Sequence, residues 1–344
     1  MNIRYKIKSN LPGIFITLSA LLFSLSASAS AAETLFNSEG IIRIELRSDF
    51  SAIEEERTGT PVYHDGELTY RQKGGKPVTI PVRVMARGNF RLNPANCSFS
   101  PLLLDFKKGD VKNTLFENQN KLKLVTPCQT EEDVIDEYTI YKMYNQVTDR
   151  SLKVRLANIS YIDEGTHKKL FEKYSFFLED KDQAAERNNA VIKKDTVNHW
   201  ELNREGYLKL ALFQYIIGNM DWHVTLGKNL EVMKQKDLSG ELFAVPYDFD
   251  FSAFVNAEYT NRQGVPVDIL VERRRYLGSC FTAEELGEVF DFYRELRPLF
   301  TSIIREQKLI TLEDRKGILD FVDKFYSIID NRDLVAEEFM SGCE

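Results

Sequence analysis

Two short polar clusters hold the side chains best suited to chemistry. The first, GNMDWHVTLGKN at residues 218–229, supplies Asn219, Asp221, His223 and Asn229, and the second, VPYDFDFSAF at residues 245–254, supplies Asp248 and Asp250. Each follows an apolar run, LKLALFQYII before the first and ELFAV before the second, so each reads as a polar tip on a buried element, the usual construction of a site. Carboxylate and amide oxygens in this mixture suit Mg²⁺ or Mn²⁺. A carboxylate left over can orient or deprotonate a hydroxyl. Those are the requirements of phosphoryl transfer, in which the protein mainly positions groups and neutralises charge. The plainer readings are that Asp248 and Asp250 are turn residues at a strand end and that His223, beside Trp222, is a hydrogen-bonded structural residue. Aromatic side chains bracket the two aspartates, and desolvating two carboxylates without a counter-charge is costly, which favours a cation there. No second His at metal-ligand spacing accompanies His223, so a zinc site is not expected.

The elements that must carry these clusters follow from periodicity. From residue 40 to residue 127 the chain runs in short segments, IIRIELRSDF, GELTYRQKGG, VTIPVRVMARG, PLLLDFKKG and KLKLVTP. Their alternation, β-branched content and Gly, Asn and Pro punctuation predict an antiparallel sheet. TEEDVIDEYTIYKMYNQVT, residues 130–148, has helical spacing with an acidic first turn that suits the helix dipole. Two strands follow, KVRLANISYID and KYSFFLED, and then the character changes. DQAAERNNA opens a helical region, NREGYLKLALFQYIIGN is an apolar helix ending in Gly-Asn, and two long amphipathic helices close the chain. Thr282 with Glu285 and Thr311 with Asp314 mark their N-caps. The fold class is therefore α+β, with a β-rich N-terminal lobe over residues 33–180, a mostly helical C-terminal lobe over 181–344, and a hinge at FFLED, residues 176–180.

Composition and termini bound the rest. Arg4, Lys6 and Lys8 precede an apolar run and the small-residue series SASASAA, which predicts a signal peptide over residues 1–31. The apolar run is shorter than the ~20 residues that cross a bilayer, so an exported protein without a membrane span, periplasmic or extracellular, is expected. A net charge of −7 gives no reason to expect a nucleic-acid partner. The basic run VERRR, residues 271–275, reads as a solvated helix face. Four cysteines, Cys97, Cys128, Cys280 and Cys343, predict two disulfides in an oxidising compartment. Of the three possible pairings, Cys97 with Cys128 and Cys280 with Cys343 keeps each bond inside one lobe.

With this order of elements, the chain resembles the CotH-like secreted kinases, within the wider group of atypical kinases that includes the HipA and phosphoinositide kinases. GNMDWH with Asn229 and VPYDFD carry the resemblance, together with MARGNF and the KLKLV strand followed by a helix. The resemblance implies a two-lobed kinase-like fold that uses ATP with Mg²⁺ or Mn²⁺. It makes Asp221 the catalytic aspartate, with His223 beside it, Asn229 and Asp248 metal ligands, and Asp250 a second acidic group. Lys123 on the strand and Glu137 on the helix match the ion pair with which kinases grip phosphates; Lys121, on the same strand face by alternation, is the second choice. Arg87, with Gly88 and Asn89, lies at a strand end where a turn would approach phosphate, and Glu179 lies in FFLED at the place of an adenine-binding hinge. His-Arg-Asp, Asp-Phe-Gly and a G-x-G-x-x-G loop are absent, and the eight-residue step from Asp221 to Asn229 is longer than in ordinary protein kinases, closer to the CotH branch.

Three functions are compatible with these residues. The first is an exported kinase-like phosphotransferase acting on an unknown acceptor, whether protein, glycan or small molecule. The second is a catalytically silent kinase-like binding or envelope module. The third is a metal-dependent phosphoester hydrolase using Asp221, His223, Asp248 and Asp250 directly.

Overall fold

Seven strands close into a barrel over the first half of the chain. The computed structural model describes residues 34–71, 75–261, 274–341 and 343; the signal peptide expected over residues 1–31, and residues 271–273 of the VERRR run, lie outside the described residues. The barrel strands are β1 (Ile42–Ser48), β2 (His64–Arg71), β3 (Pro77–Ala86), β4 (Leu102–Asp105), β5 (Lys121–Val125), β6 (Val154–Asp163) and β7 (Lys168–Leu178), in the spatial order β1-β2-β3-β4-β5-β7-β6. Alternate residues point inward, as the two-residue period of a strand requires: Ile42, Ile44 and Leu46 on β1, and Ile80, Val82 and Val84 on β3 are buried. Phe50, from the short helix α1 (Phe50–Glu56), packs inside against Phe99 and Tyr161, with ring centroids 5.8 and 5.5 Å away.

The expected antiparallel sheet is thus present, with one difference. β1 pairs in parallel with β6, Ile44 opposite Ile159, which turns the sheet into a closed barrel and removes its edges.

Helix α2 (Glu132–Val147) links β5 to β6. It is buried on more than one side because it packs against both β7 and the long helix of the second half. That half contains α3 (Lys181–Arg187), β8 (Ala190–Ile192), α4 (Arg204–Ile216), β9 (Leu230–Gln235), β10 (Leu242–Pro246), α5 (Glu258–Asn261), α6 (Ala283–Glu306), α7 (Leu312–Ile329) and α8 (Arg332–Val335). β8, β9 and β10 form a small antiparallel sheet in the order β10-β9-β8. The α+β organisation, with β-rich first half and mostly helical second half, is as expected. A second hydrophobic core unites α2, the inner ends of β6 and β7, α4, α6 and α7. It therefore crosses residue 180, where the sequence reading placed the lobe boundary.

The helix ends follow the sequence closely. Thr282 accepts from the Glu285 N–H and Glu285 accepts from the Thr282 N–H, a complete capping box, and Thr311 accepts from the Asp314 N–H. The last helix is interrupted, however: Asn331 leaves the helical conformation and its side chain accepts from the N–H groups of Asp333 and Leu334. Arg274 also departs from the solvated face expected of VERRR. It is partly buried, stacks 3.8 Å over the Phe321 ring and donates to the Ile216 carbonyl. Both expected disulfides, Cys97–Cys128 and Cys280–Cys343, are formed. Among the described residues no helix is long and apolar enough to cross a membrane.

Candidate active site

The two polar clusters are joined by their own backbones. The Tyr247 N–H donates to the Asn229 carbonyl at 3.0 Å, and the Ala253 and Phe254 N–H groups donate to the carbonyls of Gly218 and Ile217 at 3.1 and 3.0 Å. Gly218 ends α4 at φ +64°, and a Cβ there would come within 2.8 Å of Ala253 Cβ, so the turn needs glycine. Asn219 is buried and structural: its Nδ2 donates to Gln214 Oε1 at 3.0 Å and its Oδ1 accepts from the Asp221 N–H at 2.9 Å.

Asp221 is held on both oxygens. Oδ1 pairs with Lys228 Nζ, and Oδ2 accepts from Asn229 Nδ2 at 2.9 Å. The same Nδ2 also donates to the Asp221 carbonyl at 2.7 Å, so Asn229 Oδ1 is the amide atom not committed to Asp221. Asn229 and Asp248 both have left-handed backbones, at φ 52° and 63°, a conformation Asn and Asp tolerate better than most residues. The Asp248 N–H donates to the Tyr141 hydroxyl of α2 at 2.9 Å.

These groups line a cavity of about 520 Å³ that also takes residues from the barrel, within the range of small-molecule sites. Arg87 and Arg91 enter from the connection after β3, Lys123 from β5, Glu137 and Tyr141 from α2, and Asp221, Lys228, Asn229, Tyr247, Asp248 and Asp250 from the second half. Lys123 Nζ lies 5.3 Å from the Tyr247 ring centroid. Phe90 packs against Phe251 and Tyr259, at 5.3 and 5.6 Å, and so ties the β3 connection to the acidic loop.

The charges are tightly interlocked. Burial, and then Asp248, push the Asp250 carboxyl up to about 8, although it accepts from the Tyr259 hydroxyl at 2.8 Å. Burial, then Asp250 and Asp248, also push Glu137 well up from its ordinary value; it accepts from the Phe249 N–H. Burial pulls Lys123 down, with Arg87 and Lys181 adding to it, and pulls Arg87 down against the opposing pull of Asp248. Burial also lowers Arg91, but Tyr259, Asp250, Glu137 and Asp248 outweigh it and hold the guanidinium above its usual value. Desolvated carboxyls thus crowd beside desolvated cations, the kind of perturbed cluster that marks a candidate site. Among the described residues no three His, Cys, Asp or Glu side chains are already arranged to hold a metal ion. Asn229, Asp248 and Asp250 supply oxygen donors to the cavity, the ligand type that Mg²⁺ and Mn²⁺ take together with phosphate and water.

Seven residues chosen from the sequence thus meet in one cavity: Arg87, Lys123, Glu137, Asp221, Asn229, Asp248 and Asp250. Others do not. His223 is exposed, and its Nδ1 accepts from the Leu226 N–H at 3.2 Å, stabilising the turn that brings Lys228 back opposite it. Glu179 is buried and bonded to Arg187 at 2.8 Å and to the Lys153 N–H at 2.9 Å, so it serves the β7–α3 junction. Lys121 is exposed outside the cavity. The expected Lys123–Glu137 ion pair is not formed: the charged groups acting most strongly on Glu137 are Asp250, Asp248 and Arg91, because Glu137 lies deep beside the acidic loop. Arg91, Lys228 and Tyr141 were missed in the sequence; only Lys228, next to Asn229, had a local signal.

No protein-family model and no curated protein matches the chain. Among solved structures, the chain is similar to a Helicobacter pylori proinflammatory kinase, CtkA, with a TM-score of 0.41 at 11% identity over 66% of this chain and 87% of that one.

Proposed function

We propose that the cavity binds a nucleoside triphosphate with Mg²⁺ or Mn²⁺ and that the protein is an exported kinase-like phosphotransferase. The observation that carries this reading is the convergence of Arg87 and Lys123 from the barrel with Asp221, Asn229, Asp248 and Asp250 from the two loops. Arg87 and Lys123 supply positive charge for phosphate oxygens. Asn229 Oδ1, Asp248 and Asp250 would hold the metal, whose chemistry there is to neutralise charge on the transferring group. Asp221, held by Asn229 and Lys228, would accept the proton of an acceptor hydroxyl. The two disulfides support an oxidising compartment.

The test is a thermal shift of the purified protein with ATP and Mg²⁺ or Mn²⁺, paired with an assay of ADP formation. A metal-dependent stabilisation that Asp248→Ala abolishes, with turnover lost but binding kept in Asp221→Asn, is expected. A folded protein that no nucleotide stabilises overturns the reading. A catalytically silent binding or envelope module is the second reading, favoured by the missing Lys123–Glu137 pair; little nucleotide binding and no ADP formation by the folded wild type would select it.

A further inference from the structure

A second cavity, of about 540 Å³, shares two walls with the first but none of its lining residues. On α2, Glu137 lines the first cavity whereas Asp133 and Asp136 line the second; their three-residue step puts these two on one helix face. The segment after Asp250 continues into it, and the start of α7 closes it. Its carboxylates are Glu132, Asp133, Asp136, Glu258, Glu313 and Asp314, and none of the described residues that line it is Lys, Arg or His.

Most of these acids have a reason to be there. Glu132 and Asp133 lie in the first turn of α2, and Glu313 and Asp314 in the first turn of α7, where the helix dipole favours negative charge. Asp136 has no such compensation. It sits one turn further along, is only 8% exposed, and makes no hydrogen bond or ion pair with any described residue. The charged groups acting on it are Asp133, Asp314 and Glu132, all repulsive. Asp133 Oδ2 is likewise buried without a hydrogen-bond partner. An unpaired buried carboxyl is costly; Asp133 has Thr130 and the attraction of Arg91 to offset that cost, Asp136 has neither, and both line the cavity.

We propose that this cavity binds a primary alkylammonium group, its ammonium at Asp136 and Asp133 and its methylene stem against Val255, Ile318 and Phe321. Its volume exceeds what a bare metal ion fills, and the apolar wall suits a stem of the lysine type. A free polyamine and a lysine side chain of a polypeptide share this chemistry. The site does not depend on the phosphotransfer reading.

The experiment is calorimetric titration of the full protein with spermidine and, separately, with tetralysine, at low ionic strength. Wild type is expected to bind at least one. Asp136→Asn is expected to weaken that binding at least tenfold while melting no lower than wild type without ligand, since it removes an uncompensated group; Asp133→Asn, a second variant, is expected to weaken it in the same direction. Binding of spermidine alone assigns a free polyamine, of tetralysine alone a lysine side chain, and of both the shared group. Binding unchanged in both variants, heats reproduced by Mg²⁺ or by NaCl at equal ionic strength, or no binding of either probe would overturn the proposal.

Discussion

Asn229 and Asp248 line the cavity, one from each polar cluster. Both hold left-handed backbones, and each is fixed by bonds that also set the cavity: Asn229 through Asp221, Asp248 through Tyr141. Asn229→Ala removes two hydrogen bonds, each worth about 1 kcal/mol net, and with them the local bonding that lets Asn tolerate a left-handed backbone. It is expected to destabilise the protein by about 2 kcal/mol in urea denaturation; a loss below a few tenths would show that the loop is held elsewhere. Asp133 makes a prediction about pH. Burial, the largest influence, raises its carboxyl to about 6, against about 3.9 in an unfolded chain. The folded state thus binds this proton more tightly, so its stabilising contribution is complete below pH ~4 and is lost as pH rises through ~6. Between pH ~4 and ~7, wild type should lose on the order of 2 kcal/mol relative to Asp133→Asn. Parallel stability profiles for the two proteins would contradict this.

At the scale of elements, the sequence was legible wherever a signal is local. Period-two runs marked β1 to β7, and Thr282 and Thr311 marked the starts of α6 and α7 because a cap is a contact across three residues. What was missed depends on distant partners. Closure of the barrel rests on Ile44 meeting Ile159, which no local pattern announces. β8 is three residues long and is defined by its pairing to β9. The break after α7 was also missed, since ILDFVDKFYSIIDNRDLV keeps helical spacing through Asn331. That break turns the chain so that Phe339 is buried against Tyr215, Tyr276 and Phe290, with centroids 4.9, 5.2 and 5.4 Å away. Asn331→Ala removes the cap and should cost about 1 kcal/mol, as N-cap replacements do. Unchanged stability in thermal melts would mean that the aromatic packing alone fixes the turn.

For the whole molecule, the pairing of the two polar loops was legible because their residue types repeat one chemistry, whereas Arg91 and Tyr141 join them at the cavity only once α2 and the β3 connection are brought there. His223 and Glu179 show the converse: right neighbourhood in the sequence, different work in the fold. The central claim is that one cavity draws its ligand contacts from both the barrel and the helical half. The most direct measurement is calorimetric titration of ATP with Mg²⁺ into wild type, Lys123→Ala from the barrel and Asp248→Ala from the acidic loop. One site per chain is expected, with each substitution weakening binding by about 1–3 kcal/mol, as loss of a charged contact does. Binding that either substitution leaves intact, or no binding by the folded wild type, would contradict it.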